Sequence, residues 1–158
     1  NGPRIKPKVR LLYTGGHADN PEFFDLLQQN DAHVVSDNTG FGTRAADVLI
    51  REDGDPLEAI IDYYFEEKPA ATRQMGTQVE RMERLLDLVK QYKADGVVAS
   101  RLYMCDLWAF EHFLMRKRLH ENNVPFLELE VDYTPEGQGQ IKTRVQAFVE
   151  SLADRQTA

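Results

Sequence analysis

Four short apolar runs alternate with stretches whose apolar residues recur every three or four positions. Lys8-Val9-Arg10-Leu11-Leu12-Tyr13-Thr14 reads as a strand that stops at Gly15-Gly16. Asn20-Pro21 then offers an N-cap and a first-turn proline, and Phe23, Phe24, Leu26 and Leu27 mark the buried side of a helix. Ala32-His33-Val34-Val35-Ser36 is a second strand, closed by Asp37-Asn38. A helix over about 76–93 places Val79, Met82, Leu85, Leu86, Val89 and Tyr92 on one face. Asp95-Gly96 turns the chain into a third strand, Val97-Val98-Ala99-Ser100. A loop with Cys105 leads to Asp106, read as the N-cap of a helix over about 107–121. Pro125–Val131 is a fourth strand, and a last helix over about 138–153 buries Ile141, Val145, Phe148 and Leu152. Residues 38–74 are the least regular. Gly40, Gly42, Gly54, Pro56 and Pro69 punctuate them, and two short helices fit at roughly 44–50 and 57–66. So long an excursion between strands usually serves a site or an interface.

Strands alternating with helices predict an α/β fold with right-handed crossovers. The expected architecture is a three-layer, flavodoxin-like or Rossmann-like domain with a four-stranded parallel sheet in the order 2-1-3-4. In such sheets ligands sit outside the carboxyl ends of the strands, where the order reverses. Here that point lies between the first and third strands. Gly15-Gly16-His17 and the loop Ser100–Cys105 flank it, and Asp37-Asn38-Thr39-Gly40 and Asp132-Tyr133 share the same rim.

Composition narrows the classes. The 158 residues are 42% hydrophobic and 28% charged, the range of one globular domain with a real core. No apolar run is long enough to span a membrane, and residues 1–10 show no apolar leader segment. Those ten residues carry Arg4, Lys6, Lys8 and Arg10 without an acid; residues 1–7 read as a linker, or an arm foreign to the natural sequence, ahead of a domain at 8–158. The net charge, 19 − 26 = −7, argues against nucleic acid as a partner. A single cysteine makes no internal disulfide, and a reducing, cytoplasmic compartment is expected.

Each candidate residue has a plain alternative. Cys105 stands before a helix N-terminus, where unpaired amides favour a thiolate, so it reads as a metal or cluster ligand or a redox thiol. A free cysteine is also, more often, a small buried hydrophobe. Gly15-Gly16 permits close backbone approach to a ligand or simply a tight turn; neither a dinucleotide fingerprint nor a phosphate-loop pattern is present. His17 is a lone loop histidine, and His33, His112 and His120 do not cluster with it, so no zinc site is expected. Asp37 either caps the following turn or faces a ligand, and Asn38 stands beside it. Arg44 and Arg101 suit an acyl-CoA phosphate or carboxylate, or a surface ion pair. Trp108 and Phe110 read as core or interface packing, and Arg116-Lys117-Arg118 as a solvated helix face.

Several segments together resemble one family. Ala94-Asp95-Gly96-Val97-Val98 running on to Cys105-Asp106 is similar to its "DGVI…CD" segment. Val124-Pro125-Phe126-Leu127-Glu128-Leu129-Glu130-Val131-Asp132-Tyr133 is similar to "IP-x-L-x-(I/L)-E-x-DY". Gly139-Gln140-Ile141-Lys142-Thr143-Arg144-Val145-Gln146-Ala147-Phe148 is similar to "GQ-x-x-TR-(I/V)-x-AF". Val34-Val35-Ser36-Asp37-Asn38 with Gly42-Thr43-Arg44 resembles "VV-x-DD…G-(S/T)-R". In this order and spacing they identify the 2-hydroxyacyl-CoA dehydratase and benzoyl-CoA reductase family.

The resemblance implies a subunit of two related α/β domains, of which this chain matches the second, C-terminal one. It implies a four-iron four-sulfur cluster held between the domains by three cysteines, with Cys105 matching the one from the second domain. The other two cysteines and the N-terminal domain are not in this sequence, so no cluster is expected on the isolated domain, which is expected to be inactive alone. The implied partners are the missing N-terminal domain, a second homologous subunit, an ATP-dependent iron–sulfur activator protein and an acyl-CoA substrate. The implied chemistry is radical: one electron enters the thioester, giving a ketyl radical anion that expels a 2-hydroxyl group, or an aromatic ring is reduced. Gly15, Gly16, His17, Asp37, Asn38, Arg44, Arg101 and Asp106 are the expected cavity-lining residues. Asp132, Tyr133, Gln140, Thr143 and Arg144 match motif positions without an assignable catalytic role. The competing expectation is a non-catalytic flavodoxin-like binding domain, or an assembly domain pairing through Trp108, Phe110 and Phe113.

Overall fold

A computed structural model describes residues 6–16, 21–29, 31–132 and 138–157. Its elements run β1 (Val9–Gly15), α1 (Pro21–Leu27), β2 (Ala32–Asn38), α2 (Thr43–Ala46), α3 (Pro56–Asp62) with a π-helical extension over Tyr63–Glu67, α4 (Gln78–Gln91), β3 (Gly96–Leu102), α5 (Asp106–Glu121), β4 (Phe126–Val131) and α6 (Gln138–Arg155). The four strands form one parallel sheet in the order β2-β1-β3-β4, the expected α/β architecture.

The apolar runs of β1 and β3 are continuous because both strands lie at the centre of the sheet and are covered on both faces. Alternate side chains feed two cores. Leu11, Tyr13 and Val98 pack with Leu27 of α1 and with Val145, Val149 and Leu152 of α6. Leu12, Val97 and Ala99 pack on the other face with Leu85, Leu86 and Val89 of α4 and Met115 and Leu119 of α5. These buried aliphatic side chains each contribute on the order of 1.5–3 kcal/mol of transfer free energy, which makes the sheet a rigid base for the loops at its rim.

Several local expectations need correcting. The first of the two short helices covers only Thr43–Ala46, and α5 begins at Asp106, with Cys105 rather than Asp106 as its N-cap. Val79 is exposed, because Arg81 and Met82 take the inward positions of the first turn of α4. β2 runs on through Asp37 and Asn38, which pair with Tyr13 and Thr14 after a register shift between Leu11 and Leu12. That shift carries Asp37 to the rim. Of the two readings for Trp108 and Phe110, core or interface, Trp108 takes the first and packs against the α4/α5 core, while Phe110 is exposed, as is Phe113. Arg116 and Arg118 are not merely solvated: they pair with Glu128 and Glu83. The proposed cap at Asn20 lies outside the described residues.

Candidate functional site

The carboxyl ends of β1 and β3 open into a cleft of about 380 Å³. Gly15, Gly16, Arg44, Cys105 and Trp108 line it. Its geometry begins at Gly15, whose φ of +130° lies outside the range of ordinary L-residues and whose missing Cβ leaves room for the Ser100 backbone. Gly16 donates its N–H to the Ser100 carbonyl at 2.8 Å, which binds the β1 exit to β3. The edge of the Trp108 indole approaches the vacant side of Gly16. Below the rim the Tyr13 and Ser100 hydroxyls are hydrogen-bonded at 2.5 Å, and burial pushes the phenol up to about 12.

Cys105 is half-buried in this cleft. As the N-cap of a sixteen-residue helix it makes no side-chain cap hydrogen bond, so the first-turn amides of α5 are left for another acceptor. Asp106 is exposed as the first helical residue and stands outside the cleft lining.

Asp37 is an anchor for the neighbouring loop. Its Oδ1 accepts from the Thr39 amide at 2.9 Å and hydroxyl at 2.7 Å, and its Oδ2 accepts from the Thr43 hydroxyl at 2.7 Å. Burial opposes ionisation, but these donors outweigh it and hold the carboxyl below its ordinary range. The side chain lines a different depression, beside Phe24 and Val34. The loop it fixes delivers Gly40, Phe41 and Arg44 to the cleft. Asn38 is buried behind the cleft, near Arg44 and Trp108, with no hydrogen-bond partner for its Oδ1.

Arg44 and Arg101, alike in sequence, are placed differently. Arg101 pairs with Glu130 and lies 3.7 Å from Glu128. Arg44 is half-buried, lies over Gly40, and forms no ion pair or hydrogen bond among the described residues. Burial, and then repulsion from Arg84 and Arg81, lowers its pKa, with Glu111 opposing. His17 and Tyr133 lie outside the described residues. Arg144 donates to the Glu128 carbonyl at 2.7 Å and so ties α6 to β4, whereas Thr143 donates to the Gly139 carbonyl at 3.0 Å within α6 itself; Gln140 is exposed, as is Asp132.

Sequence reasoning passed over the support behind the cleft. Arg81 and Glu111 are both buried and joined by two bonds of 2.7 and 2.8 Å. The remaining Arg81 nitrogen donates to the carbonyls of Ala71 and Gln74 and to the Thr77 hydroxyl. One guanidinium therefore ties the 71–77 segment, which supplies Ala71, Thr72 and Arg73 to the cleft, to α4 and α5. Glu111 and His112 occupy stripe positions between Trp108 and Met115, a spacing visible in the sequence. His112 is fully buried; its Nδ1 is 3.4 Å from Glu128, yet neither nitrogen achieves hydrogen-bond geometry. Burial pushes the imidazole below its ordinary value, and Glu128 only partly offsets this.

The fold and site define a parallel α/β domain with a glycine-walled, cysteine-bearing cleft at its switch point. The sequence model of the family described as 2-hydroxyglutaryl-CoA dehydratase, D-component, matches residues 1–152, and the chain belongs to that family. Among its relatives is YjiM of Escherichia coli K12, provisionally named a dehydratase subunit, 30% identical over 96% of this chain and 39% of that protein. The (R)-phenyllactyl-CoA dehydratase beta subunit of Clostridium sporogenes is 26% identical over 94% of this chain and 40% of its own length. The (R)-2-hydroxyglutaryl-CoA dehydratase subunit beta of Acidaminococcus fermentans is 25% identical over 90% and 38%. The chain thus spans about two fifths of the length of the curated relatives it matches.

For the cluster that the resemblance implies, this chain offers one fitting donor. Cys105 is accessible, faces a cleft and stands at free helix amides. Among the described residues no three His, Cys, Asp or Glu side chains gather into a metal site. One thiolate does not hold a four-iron cluster, so the described residues of this chain do not by themselves complete such a site.

Proposed function

We propose that this chain is a domain of a 2-hydroxyacyl-CoA dehydratase subunit and that Cys105 contributes one thiolate to a four-iron four-sulfur cluster at the cleft. The observation that carries the reading is the placement of the single cysteine of a dehydratase-family chain at the switch-point cleft, on an uncapped helix N-terminus. The remaining ligands would come from the rest of a longer subunit, in which residues 8–158 form the C-terminal domain. When bound, such a cluster supplies single low-potential electrons. The tasks of this chain's own residues are simpler. The α5 amides stabilise negative charge at the sulfur. Gly15 and Gly16 let the backbone approach the ligand closely. Phe41, Leu107 and Trp108 provide apolar walls that keep water from the thioester.

The reading carries with it a second homologous subunit, an ATP-dependent iron–sulfur activator, an acyl-CoA substrate and a reducing cytoplasmic setting. Among the described residues no helix is long and apolar enough to cross a membrane. The beta-subunit names of the relatives support a paired subunit and favour dehydration over reductive dearomatisation of a benzoyl-CoA-type substrate. With one thiol the isolated domain is expected to be inactive. The test is turnover. The full-length subunit, with its partner subunit and activator, is expected to dehydrate a 2-hydroxyacyl-CoA, and Cys105→Ala to lose that activity. Full activity in the variant, or none in the parent with any 2-hydroxyacyl-CoA offered, would overturn the reading.

A further inference from the structure

The charges around the cleft are unbalanced in a way its backbone does not require. The protein carries 26 acidic and 19 basic residues, yet among the described residues that line the cleft there are two arginines and no acid. Arg44 is half-buried without a counter-ion among the described residues, and Arg73 is exposed on the opposite segment. Nearby acids are already engaged: Glu111 by Arg81 and Asp47 by Arg84, at 2.7 and 2.5 Å. The Thr39 and Thr72 side chains border the same space, and the uncapped amides of α5 open beside it at Cys105. A half-buried guanidinium is costly without a partner, and its planar fork matches the two oxygens of a carboxylate or phosphate.

We propose that the cleft is an oxyanion-binding site in which Arg44 is the principal ligand, Arg73 closes from the facing segment, and the helix amides complete the field. The site stands on this geometry alone. Assigning its oxyanion to an acyl-CoA, through either a CoA phosphate or an acyl carboxylate, rests on the dehydratase reading.

The protein contains a single tryptophan, and it lines the cleft, so its emission reports occupancy directly. The experiment titrates the chain with inorganic pyrophosphate and, separately, with glutarate, following Trp108 fluorescence and heat of binding. At least one dianion is expected to bind saturably. Its affinity should fall about tenfold or more in Arg44→Gln, with only partial recovery in Arg44→Lys, and should weaken with added salt. Preference for pyrophosphate assigns the site to the phosphates, and preference for glutarate to the acyl end. Circular dichroism checks that Arg44→Gln is folded, and Arg73→Gln, at an exposed position, supplies a second and weaker loss. No saturable binding of either dianion, or equal affinity in folded Arg44→Gln and the parent, would overturn the proposal. Binding at Arg44 in a subunit that dehydrates nothing would sink the dehydratase reading and leave the site standing. Dehydration with no oxyanion dependence on Arg44 would do the reverse.

Discussion

Two regions flanking the β3–α5 connection handle charge in opposite ways. On the β4 side, Arg101 and Arg116 are matched by Glu128 and Glu130. On the β1 side, Arg44 and Arg73 face a cleft with no acid among the described residues of its lining. Matched arginines on a sheet flank serve the fold, while an arginine kept half-buried and unmatched imposes a cost that a ligand can repay. The contrast also separates two residues of equal promise in the sequence: Arg101 belongs to the structural set and Arg44 to the cleft.

The largest expected effect tests the support beneath the cleft. Removing one partner of the Arg81–Glu111 pair, as Arg81→Ala or Glu111→Ala, is expected to cost about 3–5 kcal/mol in urea unfolding, because the survivor is left buried and uncompensated. Replacing both, as Arg81→Met with Glu111→Leu, should recover much of that stability. It should not restore the 71–77 segment, whose anchor is the same guanidinium. Protease nicking within 71–77 in the double variant would show the anchor is lost; nicking no faster than in the parent would separate the pair from the cleft.

Next in size is Gly15→Ala. A side chain at φ +130° against the Ser100 backbone is expected to cost about 1–3 kcal/mol, read from the shift in the thermal midpoint. A neutral effect would mean that the rim tolerates rearrangement.

The charge-matched flank should reveal itself through pH. His112 holds its proton less tightly folded than unfolded, so its contribution is complete above its ordinary 6.5 and is lost as pH falls below that toward the folded value. The Glu128 carboxyl, which burial would raise but Arg116 and His112 hold low, gives a loss in the same direction only below about 4.5. Stability should therefore fall as pH drops below 6.5, and His112→Phe should flatten that fall. An unchanged slope would mean that another group titrates there.

The smallest effect sharpens the comparison most. Arg101→Ala is expected to cost about 1 kcal/mol at most and to leave dianion binding in the cleft unchanged, whereas Arg44→Gln weakens binding about tenfold or more at little cost in stability. The opposite pattern would exchange the roles of the two regions.

Much of this was legible in the sequence. The apolar runs of β1 and β3, buried on both faces, fix a parallel sheet, and the order 2-1-3-4 places Gly15, Gly16 and Cys105 around one switch point; Arg44 was expected there only through the family resemblance. For Asp37 the sequence left two readings, capping the following turn or facing a ligand, and the bonds from Thr39 and Thr43 select the first; the reach to Thr43 depends on how the 39–43 loop folds back, which no side-chain pattern marks. Arg81 escaped notice for a different reason: its partners, Glu111 and the carbonyls of 71–74, are distant in sequence or carry no side-chain signal. Glu111 and His112 could have been found, since acid and imidazole at stripe positions of an otherwise apolar helix face require burial or a partner.

The central claim is that Cys105 is a cluster ligand at this rim. The direct measurement is iron content and visible absorbance of the full-length subunit after anaerobic reconstitution, with and without Cys105→Ala. The account predicts about four irons per subunit in the parent, the complement of one four-iron cluster, and a cluster lost or degraded in the variant. An unchanged cluster in Cys105→Ala, or none in either protein, would contradict it.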